Sequence, residues 1–304
     1  MSVLQNLSDE LSARVESARS SLVHIHAPGA AGRTGIALGP QQVMTLARQA
    51  EPGETVTAVT ADGTEHSARV SAYDQTSGIT VLAMEGSPEL VPLAGETQDG
   101  AAAGLVVGTL GVTVAFPSPQ SVEARLSMVR CVGEPLRISG GRLLPRYIQT
   151  DAPAYPGFSG APFLGADGTA RALALPSGDQ GDTLYMPWNT VSEILAILHD
   201  TPVITVGYLG VRGKPAPVEH EAASEGQSEA FLLVHVDDES PAGTAGLQVG
   251  DILLAIDKRP ITGVGDLMDS LIGPERKQIH LRWLRSGAVR ESEVTLAARR
   301  WDRD

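Results

Sequence analysis

Thr150-Asp151-Ala152-Pro153-Ala154-Tyr155-Pro156-Gly157-Phe158-Ser159-Gly160-Ala161-Pro162 sets a serine between two glycines, on a loop that follows a strand-like run. Glycines on either side let a tight turn expose the hydroxyl and aim successive backbone N–H groups at one point, which is what an oxyanion requires. Gly157 to Pro162 alone also fit a plain surface turn, because Gly, Ser and Pro make turns for their own reasons. The weight of the segment therefore depends on what surrounds it.

Upstream, short β-rich runs follow one another: Ser21 to Ile25, Gly35 to Leu38, Val43 to Leu46, Thr55 to Val59, Ser67 to Tyr73 and Ile79 to Met84. Asp62-Gly63 and Asp167-Gly168 stand between such runs as turn signals. The pattern continues through Gly104 to Val114, Ser121 to Cys131, Leu143 to Gln149 and Ala170 to Leu175, then ends in a helical stretch, Asn189 to Leu198. Strands at this spacing predict an all-β barrel or sandwich. At the start, Leu4, Leu7, Leu11 and Val15 form one stripe of an amphipathic helix that needs a partner surface. Downstream comes a second unit: Tyr208 to Val211, a polar insertion from Lys214 to Glu229 expected to be a mobile loop, strands Phe231 to Val236 and Ile252 to Ile256, a helix Val264 to Ile272, and strands Ile279 to Leu284 and Glu291 to Leu296. The domains expected are a helix over 1–20, a first domain over 21–200, a linker over 201–205, a second domain over 206–298 and a tail over 299–304.

At 304 residues the chain is long enough for two domains, each with its own core. Hydrophobic residues at 42% and charged residues at 19% exclude a disordered or fibrous chain, and 33 Gly with 20 Pro against 4% aromatics argue for strands and turns over helical bundles. A net charge of −13 with scattered Lys and Arg argues against a nucleic-acid groove or an anionic membrane face. Gly100 to Val122 is uncharged over a membrane-spanning length, but Gly104, Gly108, Gly111, Pro117 and Pro119 interrupt it, so no membrane insertion is expected. Cys131 is the only cysteine and has no Cys or His at zinc-ligand spacing, so no metal and no cofactor are expected. Met1 to Ala18 lacks a basic start and an apolar core, which reads as a cytoplasmic chain.

The longer match around Ser159 resembles the nucleophile loop of HtrA-type, DegP-like trypsin-fold proteases, whose pattern is Thr-Asp-Ala-Ala-Ile-Asn-Pro-Gly-Asn-Ser-Gly-Gly-Pro. Met44-Thr45-Leu46-Ala47-Arg48 is similar to that family's Thr-Asn-Xaa-His strand end, Tyr73 to Leu82 to its Tyr-Asp…Asp-Leu-Ala-Val-Leu segment, and Met186 to Val191 to the segment closing its protease domain. The second unit resembles a bacterial PDZ domain, with Ser240-Pro241-Ala242 through Ala245-Gly246-Leu247-Gln248-Val249-Gly250-Asp251-Ile252-Leu253 as the most specific part. The resemblance implies an all-β trypsin-like double β-barrel followed by a small α+β PDZ domain, and a homotrimer assembled through the N-terminal segment.

Carried over position by position, the resemblance puts the nucleophile on Ser159, an oxyanion-hole backbone group on Gly157, the triad histidine on Arg48 and the triad aspartate on Gly78. A serine hydroxyl needs a neighbouring base, and a carboxylate orients that base. A guanidinium stays protonated and has no lone pair to accept the proton, and glycine has no side chain. The chain is therefore expected not to be an enzyme. Among other histidines, His24 and His26 alternate with Val23 and Ile25 and are expected to face solvent, while His66 shares the side of Ala68 and Val70 and can point inward. Asp74 is the nearest replacement carboxylate. Phe158 and Ala161 stand where the family has a small polar residue and a glycine, and are expected to put carbon where backbone approaches a substrate.

In the PDZ-like unit, Tyr208, Leu209, Gly210 and Val211 are implied to form the carboxylate-binding loop for a peptide that adds as a strand to a sheet edge. Leu267 and Leu271, four apart on the expected helix, either line the apolar pocket or belong to the core. Three readings follow: an adaptor that binds protein or peptide C-termini, a serine endopeptidase with a non-standard base, and a structural scaffold.

Overall fold

The computed structural model describes residues 2–26, 32–47, 51–86, 88–96, 105–153, 157–175, 182–219, 221, 223–274 and 276–298. The chain divides into two compact units, Met1–Pro202 and Val203–Asp304.

The first unit opens with α1 (Val3–Arg19), capped by the Ser2 side chain accepting from Gln5 N–H at 3.2 Å. Six strands follow: β1 (Leu22–His26), β2 (Arg33–Gly39), β3 (Gln42–Leu46), β4 (Thr55–Val59), β5 (Glu65–Asp74) and β6 (Ile79–Met84). They pair antiparallel in the closed order β1-β2-β3-β6-β5-β4 and back to β1. Closure leaves no free edge, and the enclosed side chains, among them Val23, Val43, Val70, Tyr73 and Leu82, form one buried cluster.

A second closed barrel is built from β7 (Leu110–Ser118), β8 (Ser121–Gly133), β11 (Tyr147–Pro153), β12 (Pro162–Leu164), β13 (Ala170–Ala174) and β14 (Asp182–Pro187); a two-strand hairpin, β9 (Leu136–Arg137) with β10 (Leu143–Leu144), lies between β8 and β11. The expected strand from Gly104 begins only at Leu110, and Gly104 itself lies outside the described residues. Phe163 packs edge-on against Tyr185 in its core, with ring centroids 5.6 Å apart. Helix α2 (Trp188–Asp200) closes the unit, burying Trp188, Val191, Ile194 and Leu198.

The two Asp-Gly signals sit at hairpin turns. Asp62 and Asp167 each accept the N–H two residues on, at 3.1 Å, and the following glycines take positive φ. Helix α1 is tied to both turns, Arg19 donating to the Ala61 carbonyl and Arg14 to the Ala166 carbonyl. Its apolar stripe is only half covered: Leu11 and Val15 are half-buried, while Val3 and Leu4 stay exposed.

The second unit runs β15 (Val203–Tyr208), β16 (Val211–Pro217), β17 (Glu229–Val236), α3 (Pro241–Thr244), β18 (Ile252–Ile256), β19 (Arg259–Pro260), α4 (Val264–Ser270), β20 (Ile272–Gly273), β21 (Gln278–Arg285), β22 (Ala288–Thr295) and β23 (Ala297–Ala298). Its main sheet has the order β16-β17-β18-β21-β22, so β16 stands at an edge. The residues expected to be a linker end in strand, because Val203 already begins β15. Likewise Lys214 to Pro217, read as part of a loop, continue β16 in register with Glu229 to Leu232.

Candidate functional site

The Ser159 loop joins β11 to β12. Gly157 and Gly160 adopt φ of +97° and +83°, a region that side chains rarely enter. A Cβ at Gly160 would stand 2.7 Å from the Thr34 carbonyl oxygen, and one at Gly157 would stand 2.6 Å from Pro117 Cβ. Both glycines are therefore fixed by close approach as well as by backbone angle. Ser159 between them is half-buried.

The loop is held from the first barrel by Thr34, which is fully buried. Its hydroxyl accepts from Phe116 N–H at 2.9 Å and donates to the Gly157 carbonyl at 3.3 Å. His24 secures the other side of Phe116, its Nδ1 standing 3.0 Å from the Phe116 carbonyl oxygen. His24 is thus only 3% exposed, not solvent-facing as the alternation of its strand predicts. The reason is that β1 is covered on both faces over Leu22 to Ile25, so only His26 emerges. His66 pairs with Ala58 at the β4–β5 ladder, beside Gly86.

Gly78 has φ of +80° and exchanges its backbone groups with two neighbours, donating to Asp74 at 2.7 Å and accepting from Ala47 N–H at 2.8 Å. A Cβ there would meet the Ala47 carbonyl oxygen at 3.5 Å, an ordinary contact. Leu46, next in the chain, lies with its N–H 3.4 Å from where a Gly160 Cβ would be. The strand end before position 48, the Gly78 turn and the serine loop are thus brought together, while Arg48 itself lies outside the described residues.

Asp74 is fully buried and saturated. It accepts from Thr76 N–H at 2.9 Å, Thr76 Oγ1 at 2.6 Å, Ser77 Oγ at 2.6 Å and the Arg142 guanidinium at 2.8 and 3.1 Å. With these donors in place it has no free lone pair with which to orient a base. Arg142 comes from the β9–β10 hairpin, whose Gly140 is packed against the Thr76 carbonyl so closely that a Cβ would stand 2.2 Å away.

Phe158 and Ala161 do not crowd the substrate side. Both are buried in the second-barrel core with Val129, Ile148 and Phe163, and the Arg125 guanidinium lies 5.0 Å above the Phe158 ring. Gly160 packs against Thr34 of the first barrel and Gly157 against Pro117 of the second, and Phe158 and Ala161 turn into the second-barrel core.

In the second unit, Leu209 is buried in the core, and Gly210 has φ of +84° with its Cα against Ser240. Ser240 caps α3 and accepts from Gly243 N–H at 3.1 Å. The Leu209 and Gly210 carbonyls are taken by Ala242 and Asp237 N–H. Their own N–H groups meet no acceptor among the described residues. Val211 begins the edge strand β16. Tyr208 donates its hydroxyl to Asp237, and with His235 it holds the Asp237 carboxyl below the usual carboxylate range. Leu267 is 6% exposed and packs in the core with Phe231 and Ile279, so it lines no open pocket; Leu271 is half-buried against the same cluster. Thr34, Ser240 and Asp237 are site residues that the sequence reading did not single out for a role. Only Ser240, inside the Ser-Pro-Ala signature, carried a signal.

Among the described residues no group of three His, Cys, Asp or Glu side chains is placed to hold a metal ion, and no helix is long and apolar enough to cross a membrane.

Residues 33–173 match the trypsin-like peptidase domain and residues 234–285 match the PDZ domain. A probable periplasmic serine endoprotease of DegP-like type from Pseudomonas fluorescens is 26% identical over 78% of this chain and 50% of its own length. The periplasmic pH-dependent serine endoprotease DegQ of Escherichia coli is 28% identical over 77% of this chain and 52% of its own. The chain spans about half the length of the curated relatives it matches. Among solved structures, the HtrA-type protease AlgW with a decapeptide aligns at a TM-score of 0.66 and 17% identity, covering 95% of this chain and 99% of that one. The serine endoprotease from Yersinia pestis aligns at 0.67 and 19%, covering 95% and 98%. Two expectations are overturned. A cytoplasmic location does not stand beside relatives named periplasmic, and a non-enzyme does not stand beside relatives named serine endoproteases.

Proposed function

For a chain built as a trypsin-like peptidase domain followed by a PDZ domain, in the HtrA arrangement, we propose a role in capturing polypeptides by their carboxyl ends. The observation that carries this is the pair of N–H groups, Leu209 and Gly210, that meet no acceptor among the described residues, at the head of the edge strand β16. Such a pair is a concave donor site for a carboxylate, and an edge strand supplies main-chain bonds to whatever extended segment ends there. Tyr208, Asp237 and Ser240 hold the loop in that shape. Leu271 stands where an apolar terminal side chain would settle against the core. In this reading the PDZ unit is the adaptor.

The reading is tested by displaying random C-terminal peptides to the full chain. Free-carboxyl peptides with an apolar last residue are expected to be selected, and Gly210→Ala is expected to lose them. Selection of internal sequences without regard to the terminus would refute it.

A second reading, a serine endopeptidase with a non-standard base, is favoured by Ser159 on its built loop and by the relatives' names. Hydrolysis in this reading takes its proton acceptor from a group other than Gly78, which has no side chain, or Asp74, which is saturated. Labelling by a fluorophosphonate, lost in Ser159→Ala, is its expected signature; no labelling of the folded chain would count against it.

A further inference from the structure

The geometry points to a ligand of defined charge: a polypeptide C-terminus with acidic side chains at the penultimate position and two residues before it. This rests on the reading of the second unit as a carboxyl-terminus binder and adds which termini it takes. A Cβ at Gly213 would meet the Phe231 ring, so Gly213 faces the core of the unit. Strand side chains alternate, which turns Arg212 and Lys214 to the opposite face, where both are exposed. His235 lies across the ladder from Arg212 and is exposed as well. Neither Arg212 nor Lys214 makes an ion pair with another described residue. In a chain of net charge −13, this is a basic edge beside a carboxylate loop.

The acids nearby do not cancel it. Asp237, close enough to Arg212 for its carboxyl to be held down by that charge, is already bonded to Tyr208 and His235, while Asp238 and Glu239 follow in the turn beyond. Glu229 sits at the far end of the hairpin, opposite Pro217.

A peptide added antiparallel to β16, with its carboxylate on the Leu209–Val211 loop, has its own alternation fixed by that anchor. Its last side chain goes to the core face. The penultimate one then falls beside Arg212, and the one two places earlier falls beside Lys214. Exposed pairs of this kind are individually weak and salt-screened, so the preference is modest and ionic-strength dependent.

The test uses the full chain and three fluorescent hexapeptides ending in leucine with a free carboxylate, carrying Glu, Ala or Lys at both positions. Fluorescence polarisation is expected to rank Glu above Ala above Lys, with Glu roughly 3- to 10-fold tighter than Ala at low salt, the gap closing as salt is raised. In Arg212→Glu/Lys214→Glu the order should invert. Equal binding of all three, or an order unchanged in the doubly reversed variant, would overturn the inference while leaving carboxyl-end capture intact. Binding of none would overturn both.

Discussion

Thr34, itself fully buried, joins two structures with one hydroxyl: it satisfies Phe116 N–H and bonds the Gly157 carbonyl. Thr34→Val keeps the shape and leaves a buried donor without a partner, which costs about 1–3 kcal/mol. Thermal unfolding should show that loss, and an unchanged midpoint would argue against the link. At Gly78 the space for a side chain is open, and aspartate is among the residues that tolerate a positive φ. If position 48 faces Ser159 as the family resemblance implies, Arg48→His with Gly78→Asp gives the serine a base and an orienter, and casein hydrolysis should rise by roughly 10²-fold or more over the parent and vanish on adding Ser159→Ala. No rise would show that these positions do not face Ser159. Asp237 ties a third test to pH. Its folded pKa is depressed, chiefly by Tyr208 and then His235, so its contribution is whole above the ordinary carboxylate range and is lost as pH falls through about 4 and below. Peptide affinity should decline there, and Asp237→Asn should make that decline shallower, the part that remains being protonation of the peptide's own carboxylate. At this scale the serine loop was legible because its glycines are required by contacts. His24 was not, because alternation reports one buried face and β1 has two.

Strand β16 shows how an element can hide in a sequence. Lys214-Pro215-Ala216-Pro217 has neither alternation nor β propensity, and only pairing with β17 reveals it as strand. Its prolines also fix how much ligand it can hold. Val218 N–H donates across the hairpin to Ser228, so by alternation Pro215 and Pro217 turn their nitrogens to the open edge, where they have no proton to give. Donation to an added strand ends at Gly213. Peptides of four residues should therefore bind within a few-fold of ten-residue peptides of the same terminus, since further residues meet the Pro215 and Pro217 carbonyls as acceptors but no donor. A steady gain with length would place the ligand elsewhere. Helix α4 was legible as a helix from its spacing, yet its Leu267 faces the core, a choice that spacing cannot make because pocket and core lie on one side.

Across the whole molecule, the sequence carried the division into two units, because each unit has its own run of strands and a closing signature. The joining of the two barrels was not legible. It rests on residues remote in sequence, such as Asp74 and Arg142, 68 positions apart. Removing a buried partner of an ion pair costs about 3–5 kcal/mol, so Asp74→Ala should lower the unfolding midpoint of the first unit while leaving the transition of the second unit in place. A single shared shift would mean that the units unfold as one. Capture of a free carboxylate at Leu209 to Val211 is the central proposed step. Isothermal titration of the full chain with a peptide ending in a free carboxylate, and with the same peptide amidated, tests it most directly. The predicted result is a dissociation constant of roughly micromolar order for the free acid and at least about tenfold weaker binding for the amide, since the loop N–H groups lose their anion. Equal affinity for the two peptides would contradict it.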